Sequence, residues 1–349
     1  MMKGNVINRS ATILEAIARL NELPGGLMTL FVTDGDGCVV GTLTDGDVRR
    51  ALLAGVKPED SVTRAVNTSF KALHGPLTSS AVKELRELRR HGITLVPRLD
   101  SDGRILEIID LRATPTRLPI SALLMAGGKG ERLRPLTNDC PKPLLKIGGK
   151  AIIDYNVEAL AECGVRDITV ATRYLAEQLE EHFSAPVAGV KVKCVREREP
   201  LGTIGAASLI DYPAEGSTLV MNSDLITDIS FEEMFLKHHE SGAEITMAVI
   251  PYNVTVPFAI LSLDGERVEA IQEKPSYSYY ANAGIYLIKN RVLRDMPRGV
   301  RMDAPELIES VIDKGRPVTY FPIEGTWIDV GSPNDFRQAC ELMNLRIKS

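Results

Sequence analysis

Leu123-Leu124-Met125-Ala126-Gly127-Gly128-Lys129-Gly130-Glu131-Arg132-Leu133-Arg134-Pro135-Leu136-Thr137, with Pro141-Lys142-Pro143-Leu144-Leu145 just beyond it, is the stretch that decides the fold. An apolar run stops abruptly at Gly127, Gly128 and Gly130, and cations follow at Lys129, Arg132, Arg134 and Lys142. Glycines let a backbone approach a polyphosphate and aim its N–H groups at it. Fixed cations neutralise the charge that gathers when phosphorus is attacked. The pattern predicts a strand feeding a loop shaped for a triphosphate.

Working outward, the texture after residue 118 alternates between strand and helix. Strands are expected over Pro119 to Met125, Asp167 to Ala171, Val190 to Val195 and Ser217 to Met221. Helices are expected over Ala151 to Cys163, Leu175 to Phe183 and Thr203 to Ile210, and another from near Ser230. Such alternation predicts an α/β fold, doubly wound around a mostly parallel sheet. Ligands of such sheets sit at the carboxyl ends of strands. The glycine loop follows one strand end, and Asn222-Ser223-Asp224 follows another. Asp224 either binds a divalent cation or caps the helix near Ser230. The gap between Asp224 and Ser230 favours the cation.

Before residue 118 the chain repeats itself. Leu30-Phe-Val-Thr-Asp-Gly-Asp-Gly37 is echoed by Val96-Pro-Arg-Leu-Asp-Ser-Asp-Gly103 at an offset of 66 residues, and Gly26 maps onto Gly92. Each copy has a helical pattern, then two apolar strands around an Asp/Gly turn. Gly41-Thr-Leu-Thr-Asp-Gly-Asp47 follows the first copy, and a helix is expected from Val48 to Leu53. The polar stretch Arg112 to Leu118 reads as a linker. Two domains are expected, 1–117 and 118–349.

Bulk composition narrows the function classes. Net charge is −5, so no general attraction to nucleic acid or anionic membrane is expected. The five cysteines are scattered without zinc spacing, which fits reduced thiols in a cytoplasmic protein. Met1 to Ser10 lacks a signal-peptide core, and no apolar run is long enough to span a bilayer. None of the five histidines is assigned a catalytic role, because adjacent His238 and His239 point to different sides of a helix.

The glycine loop is neither a Walker A motif nor a dinucleotide fingerprint. It resembles that of the sugar-1-phosphate nucleotidyltransferases, a Rossmann-like, GT-A-like family. The resemblance runs from about residue 119 to 345. It implies that an NTP and a sugar 1-phosphate give an NDP-sugar and pyrophosphate, with Mg²⁺. Arg132 is then expected to hold the leaving phosphates, and Lys142 the α-phosphate and the incoming phosphate. Asp224 is expected to take part in catalysis. Asp224 and Asp329, the latter in Trp327-Ile-Asp-Val-Gly-Ser-Pro333, are expected to hold the metal. Ala126, Gly127, Gly128, Lys129, Gly130 and Glu131 are expected at the nucleotide. So are Pro200, Gly202 and Thr203, from Glu199-Pro-Leu-Gly-Thr-Ile-Gly205. Glu273 and Lys274, with Asn282 and Gly284, are expected at the sugar phosphate.

The first 117 residues resemble a tandem pair of CBS domains, small βαββα modules. That likeness implies an adenine-nucleotide effector at Thr44 and Asp47. At the offset of 66 these become Asp110 and Ala113. CBS-fused relatives with a Trp-Ile-Asp-Val-Gly ending resemble guanylyltransferases of bacterial surface-glycan pathways, including those for legionaminic-type sugars. GTP with glucosamine 1-phosphate is therefore the expected pair, with mannose 1-phosphate next, and a homo-oligomer is expected. Two other readings stay open: a nucleotide-sensing subunit without turnover, and a phosphocholine cytidylyltransferase-like enzyme. The second would need an aromatic cage, for which Tyr277, Tyr279 and Tyr280 are the clustered candidates.

Overall fold

In the structure, a computed structural model describing residues 3–24 and 27–348, the chain divides into two units, Met1–Arg117 and Leu118–Ser349. Gly26, one half of the matched glycine pair, lies outside the described residues.

The first unit shows the repeat as geometry. Its elements are β1 (Val6–Asn8), α1 (Ile13–Glu22), β2 (Thr29–Thr33), β3 (Val39–Thr44) and α2 (Asp45–Leu53). They are followed by β4 (Leu73–His74), α3 (Ser79–Arg90), β5 (Leu95–Leu99) and β6 (Ile105–Asp110). In each copy the first strand runs parallel to the second, and the second antiparallel to the third. Thr12, Thr44 and Thr78 cap the three helices, each side chain accepting a backbone N–H of the first turn. The two copies meet through Leu27, Phe31, Leu95 and Ile108. They also meet at a bridge between Cys38 and Arg104, residues related by the repeat offset itself. A residue paired with its own image marks an internal two-fold axis.

The copies diverge after their last strands. Thr44 caps α2, which begins at Asp45, three residues earlier than the sequence pattern predicts, because Thr44 and Asp47 form a capping box. In the second copy Asp110 instead closes a turn, accepting Arg112 N–H at 3.0 Å. Pro115 follows, which disfavours helix at the preceding residue. No helix forms there.

The second unit contains β7 (Ile120–Ala126), a short hairpin of β8 (Lys146–Ile147) and β9 (Lys150–Ala151), α4 (Ile152–Glu162), β10 (Ile168–Thr172), α5 (Ala176–His182) and β11 (Lys193–Arg196). Next come β12 (Ser217–Asn222), β13 (Leu225–Thr227), α6 (Phe231–Ser241), β14 (Ile245–Thr255), β15 (Ile260–Asp264), β16 (Arg267–Gln272) and β17 (Ser276–Lys289). The chain ends with α7 (Asn290–Arg294), α8 (Ala304–Asp313), β18 (Val318–Pro322), β19 (Trp327–Asp329) and α9 (Pro333–Lys348).

One sheet organises this unit, in the order β11-β10-β7-β12-β17-β14-β18. Every neighbouring pair is parallel except the two that include β17. Leu123 and Leu124 on β7 and Val220 and Met221 on β12 are all at most 1% exposed, as expected for strands covered on both faces. His238 is buried among Ser217 and Thr246, with Nδ1 2.8 Å from Thr246 Oγ1. Burial pushes its imidazole down to about 3. It is a packed, neutral core residue.

The helix expected over Thr203 to Ile210 is a 3₁₀ turn, Gly205–Leu209. Gly202 and Gly205 lie against the backbone of Val300 and Met302 and the Asp303 carboxylate, which pins this loop before an α-helix can start. The strand expected from Val190 begins only at Lys193, after a tight turn closed by Val187 and Val190. Among the described residues no helix is long and apolar enough to cross a membrane, and all five cysteines are free.

Candidate active site

Asn222 on β12 pairs with Met125 on β7, so the loops leaving these two strands emerge side by side. A third loop arrives through β13 and β19, which pair antiparallel with Leu225 opposite Asp329. Val330 N–H donates to Asp224 O at 3.1 Å and ties the two acidic residues' loops together.

A cavity of about 570 Å³ opens at this edge. The glycine loop, Ala126 to Glu131, lines it. Arg132, Lys142 and Asp224 line it, and Pro200, Gly202 and Thr203 form the facing wall. Every residue expected at the nucleotide therefore borders one space.

Lys142 is 8% exposed, and its ammonium contacts Asp224 Oδ2 and lies 3.6 Å from Asp329 Oδ1. The Arg132 guanidinium lies over Gly331, so that a Cβ there would come within 3.1 Å of Arg132 Nη2. Burial and the neighbouring Asp224 push the Asp329 carboxyl up, while Lys142 and Arg132 pull it down. The buried Oδ1 atoms of Asp224 and Asp329 have no hydrogen-bond partner. Two adjacent carboxylates, each with an unsatisfied oxygen, fit a hard divalent cation that completes its shell with water and phosphate oxygens. Among the described residues no group of three or more His, Cys, Asp or Glu side chains forms an all-protein cage. Magnesium characteristically uses few carboxylates together with substrate phosphates.

Sequence reasoning missed Glu197. It is 5% exposed, lines the cavity and accepts Leu201 N–H at Oε2. Its Oε1 sits so close to the glycine loop that a Cβ on Gly127 would lie 2.5 Å from it. Burial pushes this carboxyl up, and the Leu201 N–H and nearby Arg173 oppose that. In the sequence it is one of four consecutive charged residues, Arg196 to Glu199, and only burial singles it out.

A second cavity of about 250 Å³ adjoins the first, and Thr203 lines both. Asn282, Gly284 and Asp329 border it, together with Asn222, Tyr286 and Trp327, which the sequence reading did not place there. Asn282 Nδ2 donates to Tyr286 Oη at 2.6 Å, and its Oδ1 accepts Gly284 N–H at 3.0 Å. Gly284 has φ +71°, and a Cβ there would meet Asn222 Nδ2 at 2.6 Å. Trp327 is fixed by its Nε1–H bond to Ala283 O at 3.0 Å.

Two other pairs stand apart. Glu273 and Lys274 are exposed between β16 and β17 and line neither cavity. Thr44 and Asp47 spend their side chains on the α2 cap, where Asp47 Oδ2 accepts Thr44 N–H at 2.8 Å and Asp47 also pairs with Arg50.

The model of the nucleotidyl transferase family matches residues 121–344. The chain belongs to that family. Residues 1–54 match the CBS domain model. Among similar proteins, the mannose-1-phosphate guanylyltransferase catalytic subunit beta of Danio rerio is 33% identical over 226 residues, covering 62% of this chain and 62% of the relative. The probable mannose-1-phosphate guanylyltransferase 1 of Oryza sativa is 35% identical over 231 residues, covering 62% and 63%. The chain thus spans less than two thirds of these relatives' length. HddC from Yersinia pseudotuberculosis superposes with a TM-score of 0.51 at 24% identity, over 64% of this chain and 99% of that one. A putative glucose-1-phosphate thymidylyltransferase from Bacillus anthracis gives 0.50 at 21%, over 64% and 94%. These two likenesses concern the fold alone.

Proposed function

We propose that the second unit transfers a nucleotidyl group from GTP to a sugar 1-phosphate, releasing pyrophosphate. The observation that carries this reading is the buried Lys142 ammonium between Asp224 and Asp329, at the open side of a glycine loop. An oxygen of the sugar phosphate attacks the α-phosphorus, and the bond to the β-phosphate breaks. The attacking oxygen is already anionic, so no general base is needed. What remains is positioning and charge neutralisation. On this reading Lys142 holds the α-phosphate and Arg132 the leaving phosphates, as the family resemblance implies. Asp224 and Asp329 would hold a magnesium ion, which would supply further neutralisation of phosphate oxygens.

Glu197 supports guanine as the base. Guanine presents two adjacent donors, N1–H and N2–H, and a carboxylate accepts both. Uracil, thymine and adenine present no such pair. The smaller cavity supports a polyhydroxylated acceptor, because Asn222 and Asn282 offer both donors and acceptors beside Trp327. The relatives described as mannose-1-phosphate guanylyltransferases favour mannose 1-phosphate, with glucosamine 1-phosphate as the second acceptor. For the first unit, an adenine-nucleotide effector at Thr44 and Asp47 rests on the CBS likeness and requires the ribose to displace the cap contacts of Asp47.

The test is pyrophosphate release by the full chain, with each NTP against each sugar 1-phosphate. GTP with mannose 1-phosphate or glucosamine 1-phosphate is expected to give magnesium-dependent product. GTP binding without release from any pair would favour a nucleotide sensor instead.

A further inference from the structure

The two cavities share Asn222 and Thr203, and the hydrogen bonds of Thr203 run to a segment 100 residues away. Thr203 N–H donates to Asp303 Oδ1 at 2.9 Å, and Thr203 Oγ1 accepts Ala304 N–H at 2.8 Å. The bonds are reciprocal, one in each direction across the same gap. Met302 extends the junction. Its N–H donates to Leu201 O at 2.9 Å, and its carbonyl accepts Ile204 N–H at 3.2 Å and Gly205 N–H at 3.1 Å. The fit is tight, since a Cβ on Gly202 would lie 2.5 Å from Met302 O and 2.7 Å from Asp303 Oδ1.

The loop side of this knot reaches both cavities through Thr203, and the α8 side borders the smaller one. Pro200, Leu201 and Gly202 border the larger one. Pro305, in the first turn of α8, borders the smaller one. Asp303 lines neither cavity but joins the two segments. It caps α8 in a box with Glu306, whose Oε2 accepts Asp303 N–H at 2.8 Å, and it holds Thr203. The loop cannot shift without moving the start of α8.

We propose that this knot couples the two subsites, with Asp303 as its positioning residue. Nucleotide seated against Pro200 to Gly202 fixes the loop, the loop fixes the start of α8, and the acceptor cavity takes its binding shape. The sugar 1-phosphate then binds more tightly to the nucleotide-loaded protein. This rests on the reading of the two cavities as nucleotide and sugar-phosphate sites. Coupling between sites is reciprocal, so the acceptor tightens nucleotide by the same factor.

Calorimetry on the full chain with magnesium tests it. The probes are an analogue of GTP with an α,β-methylene bridge, which blocks cleavage at the bond the reaction breaks, and mannose 1-phosphate, each titrated alone and against the other. Wild type is expected to show coupling of about 5- to 100-fold, the usual range for linked sites. Asp303→Ala is expected to bring that factor close to 1, while the affinity for the analogue alone changes by less than about threefold. Asp303→Asn keeps the Oδ1 acceptor and is expected to keep most of the coupling. Thr203→Val loses the Oγ1 acceptor and is expected to lose it. Should Asp303→Ala be too unstable to titrate, the last two variants decide: equal coupling in both overturns the proposal. Full coupling in Asp303→Ala overturns it too, as does absence of coupling in wild type when both probes bind. If the analogue does not bind wild type, the reading of the cavity falls first and takes the coupling with it.

Discussion

The carboxyl edge of β7 and β12 and the ribbon of β15 and β16 both carry residues marked for substrate, and the chain treats them in opposite ways. At the edge, adjacent parallel strands deliver the glycine loop and Asp224, and the β13–β19 pair brings in Asp329. Lys142 is buried between the two acids. Glu273 and Lys274 instead follow β16, in which every residue is exposed. A two-stranded hairpin with nothing packed behind it is marginal by itself. The difference teaches where precision is built. The groups proposed to neutralise charge stand at the edge of the packed sheet, where a supporting shell holds them. Glu273 and Lys274, proposed for the acceptor from the family resemblance, stand exposed at the end of that ribbon.

The largest test of that contrast is at the edge. Lys142→Ala or Asp224→Ala is expected to cut turnover by about 10²–10³-fold or more, as loss of an electrostatic group does. Near-normal pyrophosphate release in either variant would remove the edge from the chemistry. A middle-sized effect is expected at Glu197. Glu197→Gln keeps one acceptor and replaces the other with a donor, so the preference for GTP over UTP in kcat/KM is expected to fall by roughly 10- to 100-fold, the worth of a lost charge-assisted bond. An unchanged base preference would show that this carboxylate reads nothing. The smallest effect is expected on the ribbon. Lys274→Met is expected to raise KM for the sugar phosphate by about 10-fold, near the value of one bond to a charged group, and to leave nucleotide affinity alone. Weakened nucleotide binding in that variant would erase the contrast.

The edge was legible because its signals are local. Three glycines after an apolar run, and an acid just past Thr218 to Met221, announce themselves without knowledge of the fold. The order of strands and helices follows from alternation, and both units emerge as separate bodies. Glu197 was not legible, since its carboxylate differs from that of Glu199 only in being buried. The knot at Asp303 was not legible either, because contact over 100 residues leaves no mark in spacing. For the same reason the helix expected at Thr203 gave way to a 3₁₀ turn: local propensity was overruled by Met302 and Asp303 pressing on Gly202. The Thr44 and Asp47 motif was legible as a pattern, yet its most visible consequence is the capping box that starts α2.

The most direct test of the central claim is product formation by the purified full chain, given GTP, magnesium and mannose 1-phosphate or glucosamine 1-phosphate. The account predicts equimolar GDP-sugar and pyrophosphate, lost on chelation of the metal and restored by adding it back. No product from any NTP and sugar-phosphate pair, with GTP bound at this cavity or absent from it, would contradict the account.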